Sequence, residues 1–110
     1  MRFATLTLTL LLAVPAIGQP TKRALLIGID DYTASTLPAV GPLQHRGWPD
    51  LRGATNDVAI LTDMLVLRYG FARTNIVTLT NQQATRAAIL RAIETHLVRP
   101  VHKDDIVFYY

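Results

Sequence analysis

Hydrophobic positions along the chain fall into runs of different period, and each period predicts a different element. Arg23 to Asp30 (RALLIGID) is almost continuously apolar until Gly28 and two acids, Asp30 and Asp31, close it. Such a run predicts a strand buried on both faces. Asp31 to Arg52 holds Pro38, Pro42, Pro49, Gly41 and Gly47 and predicts a loop of about 22 residues, a length that connections rarely reach without a function. Beyond it, Thr55 or Asn56 is expected to cap a helix that runs to about Tyr69, with Asp57 in its first turn and Gly70 at its C′ position. Val58, Leu61 and Leu65 form the expected buried stripe, widened by Ile60, Met64 and Leu67. Asn75 to Thr80 (NIVTLT) predicts a second strand, and Thr85 a cap for a second helix in which Ile89, Ile93 and Leu97 recur every fourth residue until Pro100. Asp105 to Tyr110 (DIVFYY) predicts a third strand.

The order β-α-β-α-β specifies an α/β fold: a parallel sheet in strand order 2-1-3, with right-handed crossovers and helices on both faces. No turn residue follows Phe108, Tyr109 and Tyr110, so the domain reads as incomplete at its third strand. One domain over residues 19–110 is expected, without internal repeats, low-complexity tracts or linkers.

The N-terminus has a different pattern. Met1 and Arg2 make a short positive start, Phe3 to Val14 are apolar apart from three threonines, and Ala16 and Gly18 are the small residues of a cut after Gly18. This predicts a secretory signal peptide over residues 1–18. The apolar stretch is well short of the roughly 20 residues of a membrane span, and no cysteine follows to carry a lipid. A mature chain starting near Gln19, secreted or periplasmic and not held at a membrane, is the expectation. The period-two alternation of Thr5 to Leu10 would also suit a strand, but a strand has no use for the Ala16-x-Gly18 ending.

Composition narrows the function. With 50% hydrophobic and 17% charged residues the 110-residue chain is neither disordered nor collagen-like. The net charge of +3 includes Arg2 in the removable segment, and Lys22-Arg23 is the sole adjacent Lys/Arg pair, so nucleic acid is not an expected partner. The absence of cysteine removes disulfides, thiolate metal sites and a cysteine nucleophile from these 110 residues.

In an open parallel sheet, ligands bind beyond the carboxyl ends of the strands. Those positions are Asp30, Asp31 and Tyr32, the Arg52 to Asp57 segment, and Asn81 to Gln83. Asp57 at a helix start, beside a Gly53 that would let a substrate or another backbone approach closely, can bind a basic side chain or simply stabilise the helix dipole. Asp30 and Asp31 can hold a divalent cation, or be a turn former and its solvated neighbour. His45, His96 and His102 lack metal-ligand spacing and are expected on the surface, and Gly28 belongs to no phosphate loop.

Five segments in order then carry a resemblance: Ala24 to Tyr32 (ALLIGIDDY), Leu51 to Val58 (LRGATNDV), Tyr69 to Phe71 with Asn75 to Thr80, Ala84 to Leu90 (ATRAAIL), and Asp104 to Tyr110 (DDIVFYY). Together they resemble the N-terminal part of a caspase-like cysteine peptidase domain of the metacaspase type, family C14. The resemblance implies a peptide or protein substrate and a Cys-His dyad, the His in a Ser-Gly-His-Gly segment after the third strand and the Cys after the next strand. Neither is among these 110 residues, so no catalytic residue is assigned here and the chain by itself is expected to be inactive. Asp57 matches the acid of the family's Leu-x-Gly-Cys-x-Asn-Asp pattern, which implies a place in the pocket for an Arg or Lys before the cleaved bond; Gly53 is its expected neighbour in substrate binding. Ala54 stands where many relatives carry a non-nucleophilic cysteine. The Asp31 to Asp50 loop is longer than is usual in the family. No cofactor is expected within the chain, and the pattern leaves calcium dependence open. A caspase-like binding module without the dyad is the alternative function. A receiver-type signalling domain fits poorly, because Tyr109 and Tyr110 stand where its phosphoacceptor Asp would end the third strand.

Overall fold

In the computed structural model, residues 18–32 and 50–110 are described; the expected signal peptide, apart from Gly18, and most of the long loop, His45 included, lie outside them. Three parallel strands, β1 (Lys22–Gly28), β2 (Ile76–Thr80) and β3 (Ile106–Tyr109), form one sheet in the order β2-β1-β3. Ala24 pairs with Ile76 through to Gly28 with Thr80, and Lys22 pairs with Ile106 through to Leu25 with Tyr109. This is the α/β architecture and strand order that the hydrophobic pattern predicts.

Successive residues of a strand face opposite sides. Ala24, Leu25 and Leu26 are all fully buried, so β1 is covered on both faces. Helix α1 (Ala54–Tyr69) packs on the face of Ala24 and Leu26, where Val58, Leu65 and Phe71 complete a core flanked by Leu61, Ile76 and Phe108. Helix α2 (Arg86–Ala92) begins as expected, with Thr85 Oγ1 accepting from Ala88 N at 3.1 Å. Its predicted continuation to Pro100 is instead a π-helical segment, Ile93–Val98. There the Thr95 hydroxyl donates back to Arg91 O, and Arg99 N donates to Glu94 O, five residues back. The wider turn accompanies an anchor: His96 Nε2 lies 3.1 Å from Ala24 O and 2.9 Å from Asn75 O. Two carbonyl acceptors require that this nitrogen carry a hydrogen. His96 is thus a half-buried tie to the start of β1 and β2 rather than a surface histidine.

Helix α1 departs from expectation at its start and along its outer face. Neither Thr55 nor Asn56 caps it; the N-cap is Gly53, at φ +114°, with no cap from its own side chain. Ile60, Met64 and Leu67 do not widen the buried stripe but are exposed, Leu67 at 81%. With 3.6 residues per turn, a residue two positions on lies about 200° round the helix, which puts Ile60 and Leu67 opposite Val58 and Leu65. Thr62 fills the stripe between those two and satisfies its hydroxyl on Val58 O at 2.7 Å. The C-terminal end follows the prediction: Gly70 is left-handed at φ +69°, and the N–H groups of Gly70 and Phe71 return to Leu65 O. Among the described residues no helix is long and apolar enough to cross a membrane.

Candidate substrate-binding site

At the carboxyl end of the sheet, β1 stops at Gly28, two residues before its predicted end. Asn81 is the physical reason. In a 3₁₀ turn directly after β2, its backbone takes φ +47°, and its Oδ1 accepts from the N–H of Asp30 at 2.9 Å and of Asp31 at 3.2 Å. Those N–H groups therefore leave the strand ladder. Gln82 Nε2 donates to Asp31 Oδ2 at 2.6 Å. The two ends of the long loop meet at the same place, where Leu51 N donates to Asp30 O and Tyr32 N to Asp50 Oδ1, each at 2.8 Å.

The Asp30 side chain is the missing cap of α1. Its Oδ1 accepts from Ala54 N at 2.8 Å, and its Oδ2 accepts from Thr55 N at 3.1 Å and from Thr55 Oγ1 at 2.6 Å. The Thr55 hydroxyl, then the Thr55 N–H, hold the carboxyl below its ordinary value; partial burial opposes them, and the N–H groups of Ala54 and Gly53 add to the lowering. With both oxygens engaged by a helix N-terminus, Asp30 serves as the cap of α1, a role that neither of the two readings of the sequence gives it. Among the described residues no group of three or more His, Asp or Glu side chains gathers as a metal cage.

Gly28 makes this approach possible. A Cβ there would lie 2.5 Å from Ala54 O and 2.7 Å from Val58 Cγ2, so the helix start rests directly on the end of β1. Among the described residues, Gly28 is the glycine whose missing side chain admits another backbone. A Cβ on Gly53 would meet nothing within 4 Å, and what Gly53 contributes locally is its positive φ.

Asp57 is exposed in the first turn of α1, its N–H donating to Gly53 O at 2.8 Å. Tyr110, directly after β3, donates its phenol OH to Asp57 Oδ2 at 3.5 Å, and its backbone is tied to β1 through Leu25 O at 3.0 Å and Ile27 N at 2.8 Å. The fold thus collects Gly53, Asp57, Asp30, Asp31, Asn81, Gln82 and Tyr110 at one end of the sheet. His96 belongs to the other end, as does His102, whose N–H binds Asp105 Oδ2 at 2.9 Å before β3. Sequence reasoning missed the Tyr110 phenol and the Asn81 clamp. An asparagine directly after a strand, of the residue type that tolerates left-handed backbone, was the available signal for the second. Chemically, an exposed carboxylate beside a phenol suits a guanidinium or ammonium group.

A family model described as the metacaspase, peptidase C14 domain matches residues 22–110, from the first residue of β1 onward and across Gly53, Asp57 and Tyr110. The chain belongs to this family. Metacaspase-1 of Eremothecium gossypii is 34% identical over 95 residues, covering 81% of this chain and 18% of the relative. Metacaspase-1B of Aspergillus oryzae is 34% identical over 96 residues, covering 81% and 19%, and Metacaspase-1B of Aspergillus fumigatus 35% identical over 96 residues, covering 81% and 20%. The chain thus spans about a fifth of the length of these metacaspases.

Proposed function

We propose that this metacaspase-family chain is the N-terminal part of an exported cysteine endopeptidase that cleaves peptide bonds after Arg or Lys, and that Asp57 receives the basic side chain. The observation that carries the reading is Asp57 itself: an exposed carboxylate on the first turn of α1, at the sheet end where such folds bind ligands, with the Tyr110 hydroxyl beside it. Membership of a peptidase family supports the reaction class. The Ala16-x-Gly18 leader pattern supports export.

In this reading the present residues bind and orient, and the chemistry comes from a Cys-His pair carried in the full-length protein beyond Tyr110. The thiolate attacks the carbonyl carbon to form a thioester, the imidazolium gives its proton to the leaving amine, and water then releases the acid and the free thiol. Asp57 pairs with the side chain preceding the scissile bond and sets the carbonyl in register for that attack.

The test is cleavage by the full-length protein of matched reporters ending in arginine or in citrulline, its neutral near-isostere. Preference for arginine that disappears in Asp57→Ala is the expected result; an unchanged preference overturns the assignment of Asp57. A full-length protein that binds arginine peptides through Asp57 and cleaves none would instead be a non-catalytic binding module. The 110-residue chain alone is expected to release no product, and alkylator-sensitive cleavage by it would contradict the placement of the dyad.

A further inference from the structure

We propose that Asp30 is the positioning residue of this pocket: it sets the first turn of α1, and Asp57 with it, against the end of β1. The inference rests on the assignment of Asp57 to the basic side chain and adds the device that holds Asp57 in place.

Every polar group of Asp30 is engaged, and by three different segments. Its N–H goes to Asn81 after β2, its C=O accepts from Leu51 at the end of the long loop, and its carboxylate takes Ala54 N, Thr55 N and Thr55 Oγ1 at the start of α1. Helix α1 has no cap of its own at this end, since Gly53 has no side chain to offer. The position of its first turn relative to the sheet is therefore set from β1. Two observations show that the join is tight. Gly28 leaves no room for a Cβ beneath Ala54, and the shortest of the Asp30 contacts, 2.6 Å, is to the Thr55 hydroxyl. Asp57 follows two residues after Thr55, and its own N–H closes the first helical hydrogen bond on Gly53 O. A tilt of that turn moves the Asp57 carboxylate relative to Tyr110, whose place is fixed independently by β3 pairing with β1.

A cap that only stabilised the helix would affect all substrates equally. A positioning residue changes the discrimination between arginine and its neutral counterpart. The experiment measures kcat and KM of the full-length protein with the arginine and citrulline reporters for Asp30→Ala, Thr55→Val and Thr55→Ser. Thr55→Val keeps the two backbone contacts and deletes the shortest one, so it tests the idea if Asp30→Ala does not fold. Expected is a rise of about five- to tenfold in KM for the arginine reporter in Asp30→Ala and a smaller rise in Thr55→Val, with kcat and the citrulline reaction little changed. Thr55→Ser, which retains the hydroxyl, restores the wild-type value. Equal losses on both reporters, or a lower Tm with an unchanged arginine-to-citrulline ratio, overturn the positioning role while leaving Asp57 in place. An arginine preference unaffected by Asp57→Ala overturns both.

Discussion

Lys22, the first residue of β1, and Asp30, two residues past its last, each hold one end of α1. Lys22 Nζ donates to Tyr69 O in the last turn, while the Asp30 carboxylate accepts from Ala54 and Thr55 in the first. The cation sits at the negative pole of the helix dipole and the anion at its positive pole, so one strand supplies both complementary charges. Lys22 also lies over the Phe71 ring, 5.9 Å from its centre, which joins the clamp to the core.

Lys22→Met keeps the aliphatic stem and removes the charge. It is expected to cost about 0.3–1 kcal/mol, a loss that fades as salt is added. Urea unfolding of the two proteins at low and at high ionic strength measures it. A difference insensitive to salt would mean that Lys22 acts through its hydrogen bond to Tyr69 O rather than through its charge on the helix dipole.

The two glycines at this end of the sheet separate steric from conformational need. Gly28→Ala drives a methyl group into Ala54 O and Val58 Cγ2 and is expected to destabilise by roughly 1–3 kcal/mol or to shift the helix. Gly53→Ala meets open space, and its cost, about 1–3 kcal/mol, comes from the positive φ alone. Gly53→Asn, which tolerates left-handed backbone better, should therefore recover part of the loss, whereas Gly28→Asn should be worse than Gly28→Ala. Denaturant midpoints for the four variants decide the point.

Much of this architecture was legible because β1 is so plainly apolar and because Gly70, Thr85 and Pro100 punctuate the helices as their backbone chemistry demands. What escaped are features made by residues far apart in the chain. The cap of α1 comes from Asp30, 25 positions before Thr55, and the partner of Asp57 is Tyr110, 53 positions on. No local pattern encodes either pairing. Gly28 reads as an ordinary strand glycine in the sequence, because the Ala54 backbone that rests on it is 26 positions further along the chain. The outer face of α1 departs from expectation for a simpler reason: Ile60 and Leu67 are apolar, but a 3.6-residue period puts them opposite the buried stripe. The place of Asp57 at a sheet end makes a basic side chain a candidate ligand, while the position of that side chain before a cleaved bond rests on the family resemblance alone.

Two carboxylates make stability depend on acid. Asp30 is lowered chiefly by the Thr55 hydroxyl. Asp105 is lowered chiefly by the His102 N–H, then by the Thr21 N–H, with burial opposing and the charges of His102 and Arg23 adding to the lowering. A carboxyl whose folded value lies below its unfolded value of about 3.9 binds its proton more readily when unfolded. Its contribution is therefore complete above about pH 4 and is lost as pH falls through the folded value. Melting temperature is expected to hold from neutral pH down to about 4 and to fall below it. The variants Asp30→Asn and Asp105→Asn should each start lower at neutral pH and show a shallower acid decline. An acid decline as steep as the parent's in both would place the responsible groups elsewhere.

Asp57→Ala separates the two roles open to an acid in a first helical turn. If Asp57 only complements the helix dipole, its loss costs about 0.3–1 kcal/mol of stability and leaves catalysis alone. As the partner of a substrate guanidinium it makes a charge-assisted contact, whose removal should lower kcat/KM for an arginine reporter by about one to two orders of magnitude in the full-length protein. The citrulline reporter, which cannot form the ion pair, should react at nearly the same rate with either protein. Tyr110→Phe supplies the internal control. It removes a single 3.5 Å contact to Asp57 Oδ2 while keeping the ring and the backbone ties to β1, so it should weaken the arginine preference far less than Asp57→Ala does. An equal effect of the two substitutions would shift the recognition of the basic group from the Asp57 carboxylate to the phenol beside it.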